Sequence, residues 1–413
     1  MEGEYRRRLV DPLIDELVSG LPAVSIVGPR ASGKTTTARR HARTVVRLDR
    51  PDAAAAFQAN PDATLRTLAE PVLLDEWQEA PAVLGAVKRS VDADPRPGRY
   101  LLTGSVRAEL DGQTWPGTGR IIHVTMTGLT VRERLGDPDA EPFIDRVAHS
   151  GAADLRTPDE SFDVRDYVEL AITGGFPEPA LRLSSRLRRH WFDSYVQQLL
   201  TRDAPAAQPR RDPRRLGRFF EVLALNTAGV VDMSTLYRAA GVDRRTADAY
   251  ESLLASLFVI DTVPAWFTNR LKRLGRGPKR YLTDPALAAS IVGSDVDGVL
   301  GDPDLLGRLL DTFVAAQLRA ELPVSTLRPR LHHLRQEGGR REIDILVELT
   351  GHRVIAIEIK ASTNPKAHDG RHLQWLRDEL GDRFCHGLVL HTGQYLYPLS
   401  ERVTAAPIST LWG

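Results

Sequence analysis

The sequence predicts an α/β protein of several domains, and three stretches of its 413 residues support this fold class. An apolar run at residues 23–27 leads into a glycine-rich loop and then into a helical stretch. Three helical patterns followed by two short strands occupy much of the middle of the chain. Residues 342–361 alternate apolar and charged side chains on both sides of a glycine, which is typical of a β-hairpin. We therefore predict a parallel-sheet domain, a helical middle region and a second α/β domain, in that order.

Composition and charge exclude several classes of protein. The chain has 55 Lys and Arg against 54 Asp and Glu, so no global field favours nucleic acids or membranes. The single cysteine, Cys385, excludes an internal disulfide and a cysteine-rich zinc site. No apolar run is long enough to span a bilayer, and the first residues do not have a signal-peptide pattern. We expect a cytoplasmic protein without a membrane partner.

Residues 28–35 match the phosphate-loop pattern G-x-x-x-x-G-K-[ST]. Its two glycines allow a tight turn whose backbone N–H groups point at phosphate oxygens. The predicted helix that follows supports this interpretation, because the N-terminus of a helix favours anions. The predicted ATP-binding loop comprises Gly28, Pro29, Arg30, Ala31, Ser32, Gly33, Lys34, Thr35 and Thr36.

Four side chains have predicted roles around the bound nucleotide. Lys34 would reach the β- and γ-phosphates of ATP as a point charge, and the Thr35 hydroxyl would bind Mg²⁺. Further along the chain, an apolar run at residues 72–74 ends in Asp75 and Glu76. At the carboxyl edge of a parallel sheet, Asp75 would complete the Mg²⁺ shell. Glu76 would orient and deprotonate the attacking water.

Two later stretches add candidates to this site. A predicted strand at residues 99–102 is followed by Thr103 and Ser105, and either hydroxyl would sense the γ-phosphate or position water. Simple turn chemistry at a strand end is the alternative for both. Arg120 precedes another apolar run and would stabilise transition-state charge, either in cis or across a subunit interface. Action across an interface would require a homo-oligomer.

Several motifs of this chain resemble those of one protein family. It comprises the bacterial and archaeal AAA-type ATP-binding proteins with a C-terminal domain of unknown function 4143, and the resemblance covers nearly the whole chain. The similar motifs are Gly28-Pro-Arg with Gly-Lys-Thr-Thr, Leu73-Leu-Asp-Glu-Trp-Gln, Leu102-Thr-Gly-Ser, Gly119-Arg120, the run Asp378–Gly393 and the segment Ala406–Trp412. The resemblance implies a P-loop ATPase domain that uses ATP and Mg²⁺. Residues 126–133 depart from the family, which usually has a proline-containing segment there, and we expect this difference to affect only a loop.

The middle of the chain is predicted to be mainly helical. Residues 136–165 are rich in Asp, Pro, Ala and Gly and indicate a linker or exposed loop. After a Pro/Arg-rich boundary at 205–214, the order helix, helix, helix, strand, basic loop, strand is that of a winged helix. Arg244 and Arg245 begin the third helix and, with the basic loop at 268–280, would contact DNA. A winged helix that serves only as a packing module is the alternative.

The C-terminal hairpin sets four charged side chains on one face. Because successive side chains of a strand alternate, Glu342, Asp344, Glu358 and Lys360 lie opposite the apolar residues. A hairpin centred on Gly351 would place Asp344 across from Glu358, and Glu342 across from Lys360.

Two close carboxylates and a lysine resemble the D…ExK core of restriction-endonuclease-like nucleases. The resemblance implies that Asp344 and Glu358 bind a second Mg²⁺ or Mn²⁺ and that Lys360 orients the attacking water or stabilises phosphate charge. Asp311, on an upstream helix where the family usually has Glu, would be a third ligand with a shorter reach. The alternative is a solvated, ion-paired face on a related fold that does not cut.

The predicted domains are an AAA-type P-loop ATPase domain at residues 1–135, a linker and helical segment at 136–210, a winged-helix-like domain at 211–295 and a nuclease-like domain at 296–413. The preferred function is ATP hydrolysis that controls a winged-helix and nuclease-like module acting on DNA. Two alternatives stay open: a non-catalytic ATP-dependent regulatory scaffold or DNA-binding switch with a degenerate nuclease fold, and an active nuclease gated by ATP.

Overall fold

The computed structural model describes residues 5–106, 118–204, 212–267, 277–336 and 339–413. It divides into two compact units, one comprising Met1–Gly128 with Ser256–Phe258 and the other Leu129–Ala255 with Val259–Gly413. Most of the predicted basic loop, residues 268–276, lies outside the described residues, and so does most of the predicted boundary at 205–211. Within the described ranges, no helix is both long and apolar enough to cross a membrane.

The first unit is built on a five-stranded parallel sheet of order β2-β3-β4-β1-β5. All strands therefore end at the same edge, and the loops after β3, β4 and β1 are neighbours there. Every residue of β1, β3 and β4 is buried, as expected for central strands covered on both faces. The strands are β1 (Ala23–Val27), β2 (Thr44–Arg47), β3 (Val72–Asp75), β4 (Tyr100–Gly104) and β5 (Ile122–Thr125).

Helices pack against this sheet, and the apolar core of the unit lies between them and the strands. They are α1 (Asp11–Gly20), α2 (Lys34–Ala38), α3 (Pro51–Ala59), α4 (Pro61–Arg66) and α5 (Ala82–Ala93). In α5, Val83, Val87 and Val91 recur every four residues, so they share the face that packs with Leu74 and Leu102 of the sheet. Each such aliphatic side chain contributes about 1.5–3 kcal/mol on burial.

The second unit begins with helices where the sequence partly predicts a loop. Its first five helices are α6 (Val131–Leu135), α7 (Phe143–Ser150), α8 (Val164–Thr173), α9 (Pro177–Arg182) and α10 (Ser185–Gln198). The prediction of a linker or exposed loop over 136–165 is wrong at α7. There Phe143, Ile144 and Val147 follow helical spacing and are buried. The buried Glu321 carboxylate accepts hydrogen bonds from the N–H groups of Phe143 and Ile144, at 3.0 and 3.1 Å.

Three helices and a two-stranded antiparallel sheet follow, in the predicted order. They are α11 (Pro213–Leu225), α12 (Met233–Ala240), α13 (Arg244–Ser256), β6 (Ile260–Val263) and β7 (Lys279–Leu282). Gly229, between α11 and α12, forms an antiparallel bridge with Arg280 of β7. Gly241, with φ of 66°, ends α12 in the left-handed conformation that glycine adopts readily.

The chain then builds a six-stranded mixed sheet of order β12-β13-β11-β10-β9-β8. Strands β9 and β10 pair antiparallel with Val354 opposite Glu348 and Ile357 opposite Ile345, so the hairpin is centred on Gly351 as predicted. The elements are α14 (Pro285–Val292), α15 (Val296–Leu300), α16 (Pro303–Glu321), β8 (Arg330–Gln336), β9 (Arg341–Glu348), β10 (Val354–Lys360), α17 (Arg371–Leu380), β11 (Phe384–His391), β12 (Tyr397–Ser400) and β13 (Val403–Pro407).

Candidate functional site

The glycine-rich loop lies between β1 and α2, at the carboxyl edge of the parallel sheet. Gly28 has φ of 155°, and a Cβ at this position would lie 2.0 Å from the Met126 carbonyl oxygen. Gly33 has φ of 96° and is the residue from which α2 begins. Neither conformation is open to a residue with a side chain without strain. The loop geometry therefore explains why glycine stands at both positions.

The Lys34 side chain is buried and turns back across this loop. Its Nζ donates a hydrogen bond to the Pro29 carbonyl oxygen at 2.7 Å. Burial lowers the pKa of Lys34 to about 8, although the Glu76 and Asp75 carboxylates oppose this effect. An anionic phosphate placed in the loop would add a further favourable charge to the ammonium and raise its pKa.

Thr35 and Asp75 come together directly. The Thr35 hydroxyl donates to Asp75 Oδ1 at 2.7 Å, and the Thr103 hydroxyl at the end of β4 donates to the same oxygen. The Asp75 side chain is buried. A hydroxyl and a carboxylate are oxygen ligands of the kind that Mg²⁺ takes, so these two residues fit the predicted ion.

Glu76 lies at the same edge, with φ of 56° and ψ of 52°. Its Oε1 is 3.5 Å from the Ser105 hydroxyl, which follows β4. Its Oε2 accepts a hydrogen bond from the Gln78 amide. Gln78 was given no role from the sequence, since a polar residue two positions after a strand end is a common turn feature. Lys34, Thr35, Asp75, Glu76 and Ser105 are thus all in the region where the sequence places them.

Arg120 does not lie at this edge. It precedes β5, which pairs in parallel with β1, whereas the glycine-rich loop follows β1. The length of a five-residue strand, about 15 Å, therefore separates the two positions. The Arg120 Nε donates to Asp92 Oδ1 at 2.8 Å, and the side chain is half-exposed. This placement corrects the expectation of an action in cis; a role across a subunit interface stays a prediction.

Arg8 joins the phosphate loop to the segment after β5. Its guanidinium donates to the Ser32 carbonyl at 3.0 Å and to the carbonyls of Thr127 and Gly128 at 2.8 and 3.0 Å. The Met126 carbonyl also lies against Gly28. Met126 therefore contacts the phosphate loop itself, whereas Thr127 and Gly128 contact Arg8, so this departure from the family lies next to the phosphate loop.

In the second unit, a buried lysine that the sequence did not single out lies among the predicted metal ligands. Lys279 of β7 forms an ion pair with Asp311 of α16, and its Nζ is 3.4 Å from Asp344 Oδ1 and 3.2 Å from the Asp344 carbonyl oxygen. Tyr281 donates its hydroxyl to Asp311 Oδ1 at 2.9 Å. Although burial opposes it, the Asp311 carboxylate holds the pKa of Lys279 well above its ordinary value.

The three predicted carboxylate ligands have different surroundings. Burial and then Asp344 raise the pKa of Glu358 to about 8, although Lys360 opposes this effect by donating to Glu358 Oε1 at 2.9 Å. Burial raises the pKa of Asp311 to about 6, against the effect of Lys279. Asp344 Oδ2 accepts a hydrogen bond from the Ile359 N–H at 2.9 Å. Within the described residues, no group of three or more His, Cys, Asp or Glu side chains is arranged to hold a metal ion.

Several expectations for the charged surface are corrected. Lys279 and Arg280, predicted at the end of the basic loop, are buried in β7, where Arg280 donates to Glu251 at 2.8 Å. Glu342 is 3.8 Å from the Arg335 guanidinium, and Lys360 pairs with Glu358 instead of Glu342. Lys279 and Arg280 are buried and paired with carboxylates inside the protein, so these two residues do not form a phosphate-binding surface.

Comparison with known proteins finds matches to three domain families along the chain. Residues 21–135 match the family described as AAA domain, residues 306–411 match domain of unknown function DUF4143, and residues 164–298 match domain of unknown function DUF8612. The matches at the two ends of the chain support an AAA-type ATPase-like protein with a C-terminal DUF4143 domain.

Two relatives are similar along most of the chain. They are uncharacterised proteins of Mycobacterium bovis and Mycobacterium tuberculosis, and each is 28% identical to this chain over 398 residues. The aligned region covers 94% of this chain and 80% of each relative.

Proposed function

We propose that this protein hydrolyses ATP with Mg²⁺ at the carboxyl edge of its parallel sheet. The observation that carries the proposal is the 2.7 Å contact between the Thr35 hydroxyl and Asp75 Oδ1, with Lys34 and Glu76 at the same edge. The match of residues 21–135 to the AAA domain supports it independently.

Each residue then has a definite task. Backbone N–H groups of residues 28–35 bind the phosphates, and the Lys34 ammonium moves from the Pro29 carbonyl to the β- and γ-phosphate oxygens. Thr35 and Asp75 would hold Mg²⁺, which supplies positive charge to the phosphate oxygens. Glu76 accepts the proton of the attacking water, while Ser105 contacts Glu76 and positions it.

Steady-state ATPase assays of two variants test the proposal. Lys34→Ala removes a buried cation, and we expect turnover to fall about 100-fold or more. Glu76→Gln keeps nucleotide binding but removes the general base, which contributes about 10²–10⁴-fold. A Lys34→Ala protein with wild-type turnover would contradict catalysis at this site. Unchanged turnover in Glu76→Gln would instead favour ATP as a conformational ligand.

We further propose that nucleotide state controls the rest of the chain. Arg8 contacts both the phosphate loop and residues 127–128, and the chain continues from there into α6. A phosphate that moves Ser32 would change the contacts of Arg8. The expected result for Arg8→Lys is reduced dependence of any DNA or partner binding on ATP, measured by fluorescence anisotropy with and without nucleotide.

The middle region is proposed to be a winged helix that contacts DNA. The order α11, α12, α13, β6, β7 and the bridge between Gly229 and Arg280 support the winged-helix interpretation. Arg244 is highly exposed at the start of α13, 3.8 Å from Asp248. Arg244→Ala combined with Arg245→Ala should weaken duplex binding and lower the salt dependence of the affinity. Unchanged binding would favour a packing module.

For the C-terminal domain, one observation favours the alternative that it does not cut. The predicted ligands Asp311 and Asp344 surround a lysine, and Glu358 has a raised pKa. We propose a nuclease-like fold with a binding or scaffolding role. Plasmid and single-stranded DNA, incubated with Mg²⁺ or Mn²⁺, should stay intact with both the wild type and Asp344→Ala. Cleavage by the wild type that Asp344→Ala abolishes would instead establish an active nuclease.

A further inference from the structure

We propose that the Lys279 ammonium occupies the place that a divalent cation would take among Asp311, Asp344 and Glu358, so that these residues hold a cation of their own chain and not a metal ion. The proposal concerns what these carboxylates bind, and it does not depend on ATP hydrolysis or on DNA binding.

The position of the ammonium supports this inference first. Lys279 is 3% exposed, and its Nζ is enclosed by oxygens from two elements. Asp311 Oδ2 comes from α16, while Asp344 Oδ1 and the Asp344 carbonyl come from β9, at 3.4 and 3.2 Å. Carboxylate and carbonyl oxygens that converge on one point are the ligands that hard divalent cations take. In this protein the Lys279 Nζ lies at the point where these oxygens converge.

Glu358 supplies the second observation. Its Oε1 pairs with Lys360, but its Oε2 is buried and has no hydrogen-bond partner within the described part of the chain. The β9–β10 pairs run to Ile357 opposite Ile345, and the next position of that register sets Glu358 across from Asp344. Leaving a buried carboxyl oxygen without a partner costs free energy, and a metal ligand position is a physical reason for it.

Mn²⁺ binding without nucleotide tests this proposal, measured by electron paramagnetic resonance of free Mn²⁺. Lys279→Ala should bind one more Mn²⁺ per chain than the wild type, and adding Asp344→Asn should abolish the extra site. Lys88→Ala is the matched control, because it removes a lysine that pairs with Asp92 at 2.7 Å on the exposed face of α5. It should bind as much Mn²⁺ as the wild type.

Two further measurements keep the test decisive if Lys279→Ala does not fold. Lys279→Met preserves more of the buried volume, and Mn²⁺ should raise its Tm but leave that of the wild type unchanged. In an otherwise wild-type chain, Asp344→Asn should bind as much Mn²⁺ as the wild type. The proposal is overturned if Asp344→Asn abolishes Mn²⁺ binding by the wild type, or if a folded Lys279 variant gains no site.

Discussion

Glu358 and Lys34 show how burial sets the state of single side chains in this protein. Both are almost fully buried, and burial shifts each pKa toward the neutral form, to about 8 in both cases. The two side chains differ in the neighbouring charges that act on them. Lys34 faces a loop built for phosphate, which would favour its charged form, whereas Glu358 lies beside Asp344, which favours its neutral form.

The raised pKa of Glu358 predicts a specific pH dependence of stability. Its ordinary pKa is 4.5, so between pH 4.5 and about 8 the unfolded chain loses a proton that the folded chain keeps. Stability contributed by Glu358 therefore falls as pH rises through this window, by at most about 1.4 kcal/mol per pH unit.

Glu358→Gln does not titrate, so its Tm relative to the wild type should increase from pH 5 to pH 8, measured by scanning calorimetry. Glu342→Gln is the matched control on the neighbouring strand, with a half-exposed side chain, and should show no such trend. A constant difference between Glu358→Gln and the wild type would contradict the raised pKa.

At the scale of elements, the phosphate loop and the hairpin register were predicted from local patterns, whereas helix α7 and the pairings between distant segments were not. The phosphate loop depends on consecutive residues, and the β9–β10 register depends on alternation about one turn, so both could be read from the sequence. Arg120 was misplaced because the sequence does not show which edge of a parallel sheet a residue faces until strand directions are known. Lys279 was missed because its partners, Asp311 and Asp344, lie on elements far along the chain.

Helix α7 gives an element-scale prediction. Glu321 at the end of α16 accepts hydrogen bonds from the first N–H groups of α7, and its Oε1 is 3.1 Å from the Arg132 guanidinium. Glu321→Ala would leave a buried arginine and two N–H groups without this partner, so we expect a loss of about 3–5 kcal/mol of stability.

Urea unfolding followed by circular dichroism measures this loss. Glu178→Ala is the control, because Glu178 forms an exposed pair with Arg182 at 3.4 Å that contributes about 0.5 kcal/mol or less. Equal urea midpoints for the two variants would show that Glu321 does not stabilise the start of α7.

At the scale of the whole molecule, the position of Arg120 connects its predicted catalytic role to the formation of a homo-oligomer. Its half-exposed side chain lies far from the phosphate loop of its own chain, so it can serve catalysis only at the site of another copy. Under this hypothesis, Arg120→Ala lacks a functional arginine and Lys34→Ala lacks a functional loop. Each variant alone should therefore have little ATPase activity.

Mixing the two variants should restore part of the activity, because some sites would combine an intact loop with an intact Arg120. Mass by light scattering, with and without ATP, is measured alongside. Arg89→Ala is the control, since Arg89 forms another exposed pair, with Asp62, and its loss should leave turnover unchanged. A monomeric mass together with wild-type turnover in Arg120→Ala would exclude the role across an interface.

The contacts of Arg8 and Gly28 also have a consequence for recombining this protein with others. Because the carbonyls of Met126, Thr127 and Gly128 pack on Gly28 or Arg8, these three residues belong with the ATP-binding part. A chimaera that attaches a foreign output module to this part should therefore be joined after Gly128. A junction placed before Met126 would exchange the backbone on which the phosphate loop rests.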